Sequence, residues 1–205
     1  DRFEGEGVSI KPWPCCRFTN SHVDAALQIA QKEDVDPRSI SRITLYYAED
    51  ETKRCLDPLD LRRNPQTIPE AKLSLPFTVA QALAYRKVEI GDFDKSSLSD
   101  PVLKRLCSIT FPEYDESLKS SLSKTMLPGR VLVETDDGVV YDKRVDVVYG
   151  HPRNRMKWND LAGKFRDCAS FGKKRMSVGE VDEVIDMVGD LEKVEDVSRI
   201  MDAIR

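Results

Sequence analysis

The sequence predicts an α+β fold: a small antiparallel or mixed sheet with helices packed on it, followed by a helical C-terminal segment. Three observations carry this. Residues 40–48 (ISRITLYYA) alternate Ile43, Leu45 and Tyr47 against Arg42, Thr44 and Tyr46, the pattern of a half-buried strand. Two further β-rich runs, 130–135 and 139–148, flank Asp136-Asp137-Gly138, a hairpin turn signal. Beyond residue 150 the apolar residues recur only at helical spacing.

The remaining elements follow in order. Phe3 to Lys11 alternates weakly and predicts a short strand that leads into the domain. Pro12 and Pro14 force extended or turn geometry around Trp13. Ser21 followed by Asp24 predicts a capped helix start, with Val23, Ala26, Leu27 and Ala30 on one face and Asp36-Pro37 as its stop. Residues 49–68 are polar, charged and proline-bearing, and too long for a plain connection, so they read as a functional or mobile segment. Residues 70–88 have a helical apolar face (Leu73, Phe77, Ala80, Leu83). Pro76 removes an amide within it, which predicts two helices meeting at Ser74-Leu75-Pro76. Asp100-Pro101 opens a short helix through Cys107, and Ile109–Phe111 extends after it.

The tail predicts three helices. Trp158, Leu161, Phe165, Cys168 and Phe171 form the first stripe. Ser177 with Glu180 is a capping box that opens Val178, Val181, Ile185 and Val188. Val194, Val197, Ile200, Met201 and Ile204 form the last stripe. Residues 151–175 hold eight Lys/Arg against two Asp/Glu, and residues 176–205 hold three against nine. With no interleaved aromatic platform, that basic run reads as a solvated or ion-paired face and not as a nucleic-acid surface. Three amphipathic helices need a cover, either the sheet or a partner outside this chain.

The 205 residues carry a net charge of −4, which argues against a generally basic nucleic-acid binder. They are long enough to bury a core without a disulfide or metal. No apolar run reaches the ~18 residues of a membrane span. Cys15, Cys16, Cys55, Cys107 and Cys168 show no metal-ligand spacing, so reduced thiols in a cytoplasmic protein, with no metal or other cofactor, are expected. His22 and His151 are the only histidines; one reads as a first-turn helix residue and the other as a turn residue. Nucleotide-binding and zincin motifs are missing. The chain opens on Asp1, not Met, and is read as part of a longer protein.

Three separated blocks then resemble the MmgE/PrpD family. They are Lys11-Pro-Trp-Pro-Cys-Cys-Arg-Phe-Thr19 with the helix after it; Ala71-Lys-Leu-Ser-Leu-Pro-Phe-Thr-Val-Ala-Gln-Ala-Leu83 with Lys87-Val88 and Asp92-Phe93; and Gly150-His-Pro-Arg-Asn154 through Trp158 and Lys164–Ala169. The resemblance implies a C-terminal part: residues 1–11 a strand or hinge, 12–150 an α+β lid domain, and 151–205 helices returning to an N-terminal helical domain. It implies a cofactor-independent lyase acting on a small polycarboxylate, with a substrate cleft between the two domains and a homodimer when complete. Dehydration of a substrate such as 2-methylcitrate is the first reading; decarboxylation or epimerisation within the family, or a non-catalytic remnant that only binds a partner, are the alternatives.

The same resemblance selects the site residues. Lys11 is the catalytic candidate, because the family's lysine there points into the cleft; such an amine binds a carboxylate or, partly desolvated, shuttles a proton. Cys16, Arg17 and Phe77 are substrate-binding candidates. Cys16 stands where the decarboxylase branch has a histidine, and a thiol of ordinary acidity, near ~8.5, replaces an imidazole poorly at neutral pH. Arg17 can take a carboxylate bidentately. Phe77 replaces a tyrosine and lacks its hydroxyl donor.

Overall fold

The computed structural model describes residues 4–119 and 127–205, in two compact units that divide after Arg155. The first unit carries a four-stranded mixed sheet. Its order is β2 (Thr110–Tyr114), β1 (Ile40–Tyr47), β3 (Gly129–Thr135), β4 (Val140–Val145). β1 is central, parallel to β2 (Ile43 opposite Thr110) and antiparallel to β3 (Ile43 opposite Val133, Leu45 opposite Val131). β3 and β4 form the predicted hairpin, with Gly138 at a φ of 84° in its turn.

Helices line one side of the sheet. α1 (Asn20–Lys32) lies on β3, β4 and α5 (Leu75–Tyr85), and α6 (Pro101–Ser108) packs on α5 and β1. Ile43, Leu45, Val131 and Val133 are fully buried there with Val23, Leu75, Val79 and Leu103. Each such side chain contributes about 1.5–3 kcal/mol. Elsewhere on the strands, polar side chains interlock. Arg42 lies 4.3 Å over the Phe111 ring and pairs with Glu134 and Glu113. Arg130 lies 4.4 Å over Tyr46 and pairs with Asp142 and Asp115.

The α4–α5 break falls where Pro76 places it. α4 (Ile68–Leu73) ends, and Ser74 accepts the Phe77 amide at 3.0 Å as the cap of α5. Asp100 caps α6 through the amides of Val102 and Leu103.

Several expectations are corrected. Residues 4–11 form a 3-10 turn (Glu4–Gly7) and then an unpaired extended run; Phe3 lies outside the described residues. Val8 N–H returns to Gly5 O at 3.2 Å and Ile10 N–H donates to Gly150 O at 2.9 Å, but among the described residues no strand ladder includes this run. Ser21 and Asp24 do not make a capping box. Both are buried and bond to distant backbone, Ser21 Oγ donating to Leu127 O and Asp24 accepting the Tyr149 amide at 2.9 Å. α1 stops at Lys32, before Asp36-Pro37, with Asp34 in the left-handed region. Residues 49–68 are built structure: α2 (Asp50–Lys53), α3 (Leu59–Arg63), and between them Cys55 and Leu56, buried in the core.

The second unit holds α7 (Trp158–Ser170), α8 (Val178–Gly189) and α9 (Ser198–Ile204). The Ser177–Glu180 capping box forms as predicted. α9 starts later than its apolar stripe: a 3-10 turn at Leu191–Lys193 ends at Val194, and Asp196 then accepts the Ser198 amide to restart the helix. Ala162, Val181 and Ile185 make a small core, beside an open apolar groove of about 320 Å³ that includes Trp158, Phe165, Val188 and Ile204. Among the described residues no helix is long and apolar enough to cross a membrane.

Candidate active site

The segment 11–17 is held at both ends by backbone. Next to Lys11, Ile10 N–H donates to Gly150 O at 2.9 Å; at the other end, Cys16 N–H donates to Lys72 O, the last turn of α4, at 2.8 Å. Pro12 and Pro14 stiffen what lies between. Arg17–Thr19 then makes a 3-10 turn, in which Thr19 returns both its amide (3.0 Å) and its hydroxyl (2.7 Å) to Cys16 O. The Lys11 and Arg17 side chains therefore project from a pinned backbone. Both residues are exposed, and the Arg17 guanidinium lies 5.2 Å from the Phe18 ring centre.

Cys16 is half-buried between them, and Cys55 approaches from the segment after α2. The Cys55 thiol donates to Cys16 Sγ across 3.8 Å. Cys55 is pinned in turn, its carbonyl accepting the Leu75 amide at 2.9 Å. The pair thus sits at the α4–α5 junction. That donated bond is the main reason the Cys16 thiol is pulled down to about 6; burial opposes it, while the Phe18 amide and the Lys11 and Arg17 charges add to it. Cys55, the proton holder, is pushed above the ordinary thiol range by the same bond and by burial. The Cys55 bond thus moves Cys16 from an ordinary thiol toward a more readily ionised one. Cys55 escaped sequence reading because nothing in a spacing of 39 residues signals contact; its one mark is the uncharged pair Cys55-Leu56 inside a charged stretch.

The other cysteines differ. Cys15 is buried, donates to Asn20 Oδ1 at 3.3 Å, and is pushed up to about 11 by desolvation. Asn20, nine residues after Lys11, receives the Cys15 thiol. His22 sits two residues on, in the first turn of α1, fully buried. Its Nε2 lies 2.7 Å from Tyr46 O, so the proton is on Nε2, since a carbonyl only accepts. His151 is in a turn with Asn154.

Lys11, Cys16 and Arg17 are thus brought together. Phe77 lies in the core: it is 3% exposed and packs on Phe93 with ring centres 6.3 Å apart, while Lys72 covers the Phe93 ring at 5.3 Å. Its ring has no open face in this unit. Among the described residues no group of three or more His, Cys, Asp or Glu side chains is arranged to hold a metal.

A family model for the MmgE/PrpD C-terminal domain matches residues 13–191, a span that includes Cys16, Arg17 and Phe77 and begins two residues after Lys11. The chain is similar to the cis-aconitate decarboxylase of Homo sapiens, 30% identical over 129 residues, covering 63% of this chain and 26% of that protein. It is also similar to the cis-aconitate decarboxylase of Mus musculus, 25% identical over 197 residues, covering 94% of this chain and 38% of that protein. The chain therefore spans well under half the length of these curated relatives.

Proposed function

Because the chain belongs to the MmgE/PrpD family, as its C-terminal domain, we propose that it forms part of a cofactor-independent lyase acting on a small polycarboxylate of the cis-aconitate type. The observation that carries this reading is that two cis-aconitate decarboxylases match it over 63% and 94% of its length. In such a decarboxylation the departing carboxylate leaves as CO2, and its electron pair passes into the remaining unsaturated carboxylate system. A proton must then be added to carbon. On this reading Lys11 and Arg17 balance the carboxylate charges, and the Cys16–Cys55 pair exchanges the proton. The lid unit closes over a substrate held against the N-terminal helical domain of the same protein, which also covers the apolar groove of the tail helices. The complete enzyme works as a homodimer in the cytoplasm.

One observation favours a second reading, dehydration of a hydroxylated substrate such as 2-methylcitrate. The family resemblance puts a histidine of the decarboxylase branch at the position of Cys16, and the bond from Cys55 lowers the Cys16 thiol from its ordinary value toward the thiolate, a base more than an acid. A base is what removal of a proton α to a carboxylate requires.

Both readings are tested on the full-length protein, incubated separately with cis-aconitate and 2-methylcitrate and followed by NMR and CO2 release. CO2 from cis-aconitate supports decarboxylation, and loss of water from 2-methylcitrate without CO2 supports dehydration. A folded protein that transforms neither substrate overturns the lyase reading and leaves a partner-binding remnant.

A further inference from the structure

The position of Cys55 has no evident part in holding a carboxylate. Its sulfur is 3.8 Å from that of Cys16, and it belongs to a core-buried segment pinned at Leu75, while Cys16 is pinned at Lys72. Two sulfurs from segments 39 residues apart therefore meet at a junction fixed on both sides. A disulfide needs ~2.05 Å, so the sulfurs must approach by about 1.8 Å, a movement within reach of side-chain rotation and a small backbone shift. Cys16 is half-buried, whereas Cys55 is 4% exposed. This is the arrangement of an attacking thiol and a more buried resolving thiol.

We propose that Cys16 and Cys55 form a reversible disulfide, closed by hydrogen peroxide and reopened by a dithiol reductant. In the first step the Cys16 thiolate sulfur attacks one peroxide oxygen. An S–O bond forms, the O–O bond breaks, and hydroxide leaves and takes up a proton as water. In the second step the Cys55 sulfur attacks the Cys16 sulfenic acid. The S–S bond forms, the S–O bond breaks, and the departing hydroxide takes the Cys55 proton. Two thiols and one peroxide give one disulfide and two waters, with two electrons passing from sulfur to oxygen. A dithiol reverses the bond by exchange and is itself oxidised to a disulfide.

The surroundings direct the oxidant to this pair. The bond from Cys55 first, and the Lys11 and Arg17 charges after it, favour the Cys16 thiolate. Cys15, the adjacent sulfur, is committed to Asn20 and Thr19, and Cys107 is buried at 1% exposure. Cys168 is exposed in the other unit and is removed in the test. Closure would tie the Lys11–Arg17 segment to the α4–α5 junction by a covalent bond. The proposal does not depend on the lyase reading, because its test reads sulfur and not turnover.

The test uses full-length protein carrying Cys168→Ser. It is exposed to hydrogen peroxide, quenched with an alkylating agent, digested without reductant and mapped by mass spectrometry. The expected product is a peptide pair joined through Cys16 and Cys55, lighter by two hydrogens and separated again by dithiothreitol. Adding Cys55→Ser should leave Cys16 as a sulfenic acid that dimedone captures, at least ~10-fold faster than Cys15 or Cys107 reacts. Adding Cys16→Ser should leave Cys55 unmodified. Recovery of both thiols free, a Cys15–Cys16 pair, or a Cys16 sulfinic acid without the cross-link would overturn the proposal. The map of the Cys168→Ser protein decides the matter even if the further serine variants fail to fold.

Discussion

Gly150 lies against the carbonyl of Ile10: a Cβ at Gly150 would fall 2.0 Å from that oxygen, while Gly150 O accepts the Ile10 amide at 2.9 Å. The obstructing atom is backbone and cannot rotate away, and the φ of +88° adds left-handed strain for any other residue. The pair fixes the chain immediately before Lys11. Gly150→Ala should therefore cost about 2–4 kcal/mol in urea denaturation, the left-handed backbone alone accounting for ~1–2. A loss under about 1 kcal/mol would mean that the Ile10 segment swings aside freely.

Asp24 ties α1 to the chain beyond β4. It is 7% exposed and accepts the Tyr149 amide at 2.9 Å and Gln28 Nε2 at 2.8 Å. Asp24→Ala strands the Tyr149 donor, so a loss of about 2–3 kcal/mol is expected by chemical denaturation, with Asp24→Asn losing less because its amide oxygen still accepts. If Asp24 were only a helix-start residue, alanine would cost about 1 kcal/mol and asparagine almost nothing.

These residues show what the sequence could tell. The hairpin at Gly138, the break at Ser74-Leu75-Pro76 and the Asp100 cap were legible because each is decided by neighbours within a few residues. Ser21 and Asp24 also carry a local signal, but acceptor and donor groups more than 100 residues away claim them, and burial of both side chains favours those bonds over a solvent-exposed cap. Lys11, Cys16 and Arg17, which the resemblance selects, come together because they are close neighbours in the chain. Cys55 joins them only through the path of α2 and α3, which a charge-rich stretch conceals, and without Cys55 the acidity of Cys16 could not be read.

His22 makes stability depend on pH. It is fully buried, its Nδ1 has no partner, and desolvation pushes it down to about 4 from 6.5, against the bond to Tyr46 O that favours the charged form. The unfolded chain thus takes up a proton at this residue below pH 6.5, and the folded chain does so only near 4. Stability present above about 6.5 falls as the pH is lowered through this window and stops falling on this account below about 4. At pH 5 the loss from His22 is about 2 kcal/mol. Denaturation at pH 7 and pH 5 should show this slope in the wild type and a shallower one in His22→Gln, whose amide can still donate to Tyr46 O. Equal slopes in the two proteins would remove His22 as the source.

Lys11 carries the sharpest functional expectation. Its head group is exposed on a pinned backbone beside Cys16 and Arg17, so it contributes charge at the site and little packing. If it holds a carboxylate or passes a proton in the closed lid, Lys11→Ala in the full-length enzyme should lower kcat/KM by at least ~100-fold, about 2.7 kcal/mol of transition-state stabilisation. The thermal midpoint should move little, since an exposed lysine supports no core contact. Lys11→Arg separates the two roles. A guanidinium holds a carboxylate but does not give up its proton, so near-complete rescue assigns Lys11 to binding, and failure to rescue assigns it to proton transfer. Lys32→Ala, at the exposed end of α1, is the control for a general charge effect. Steady-state kinetics on the substrate found active decide the outcome: if Lys11→Ala, Lys11→Arg and Lys32→Ala all match the wild type, Lys11 is a solvated surface residue and the active site lies elsewhere.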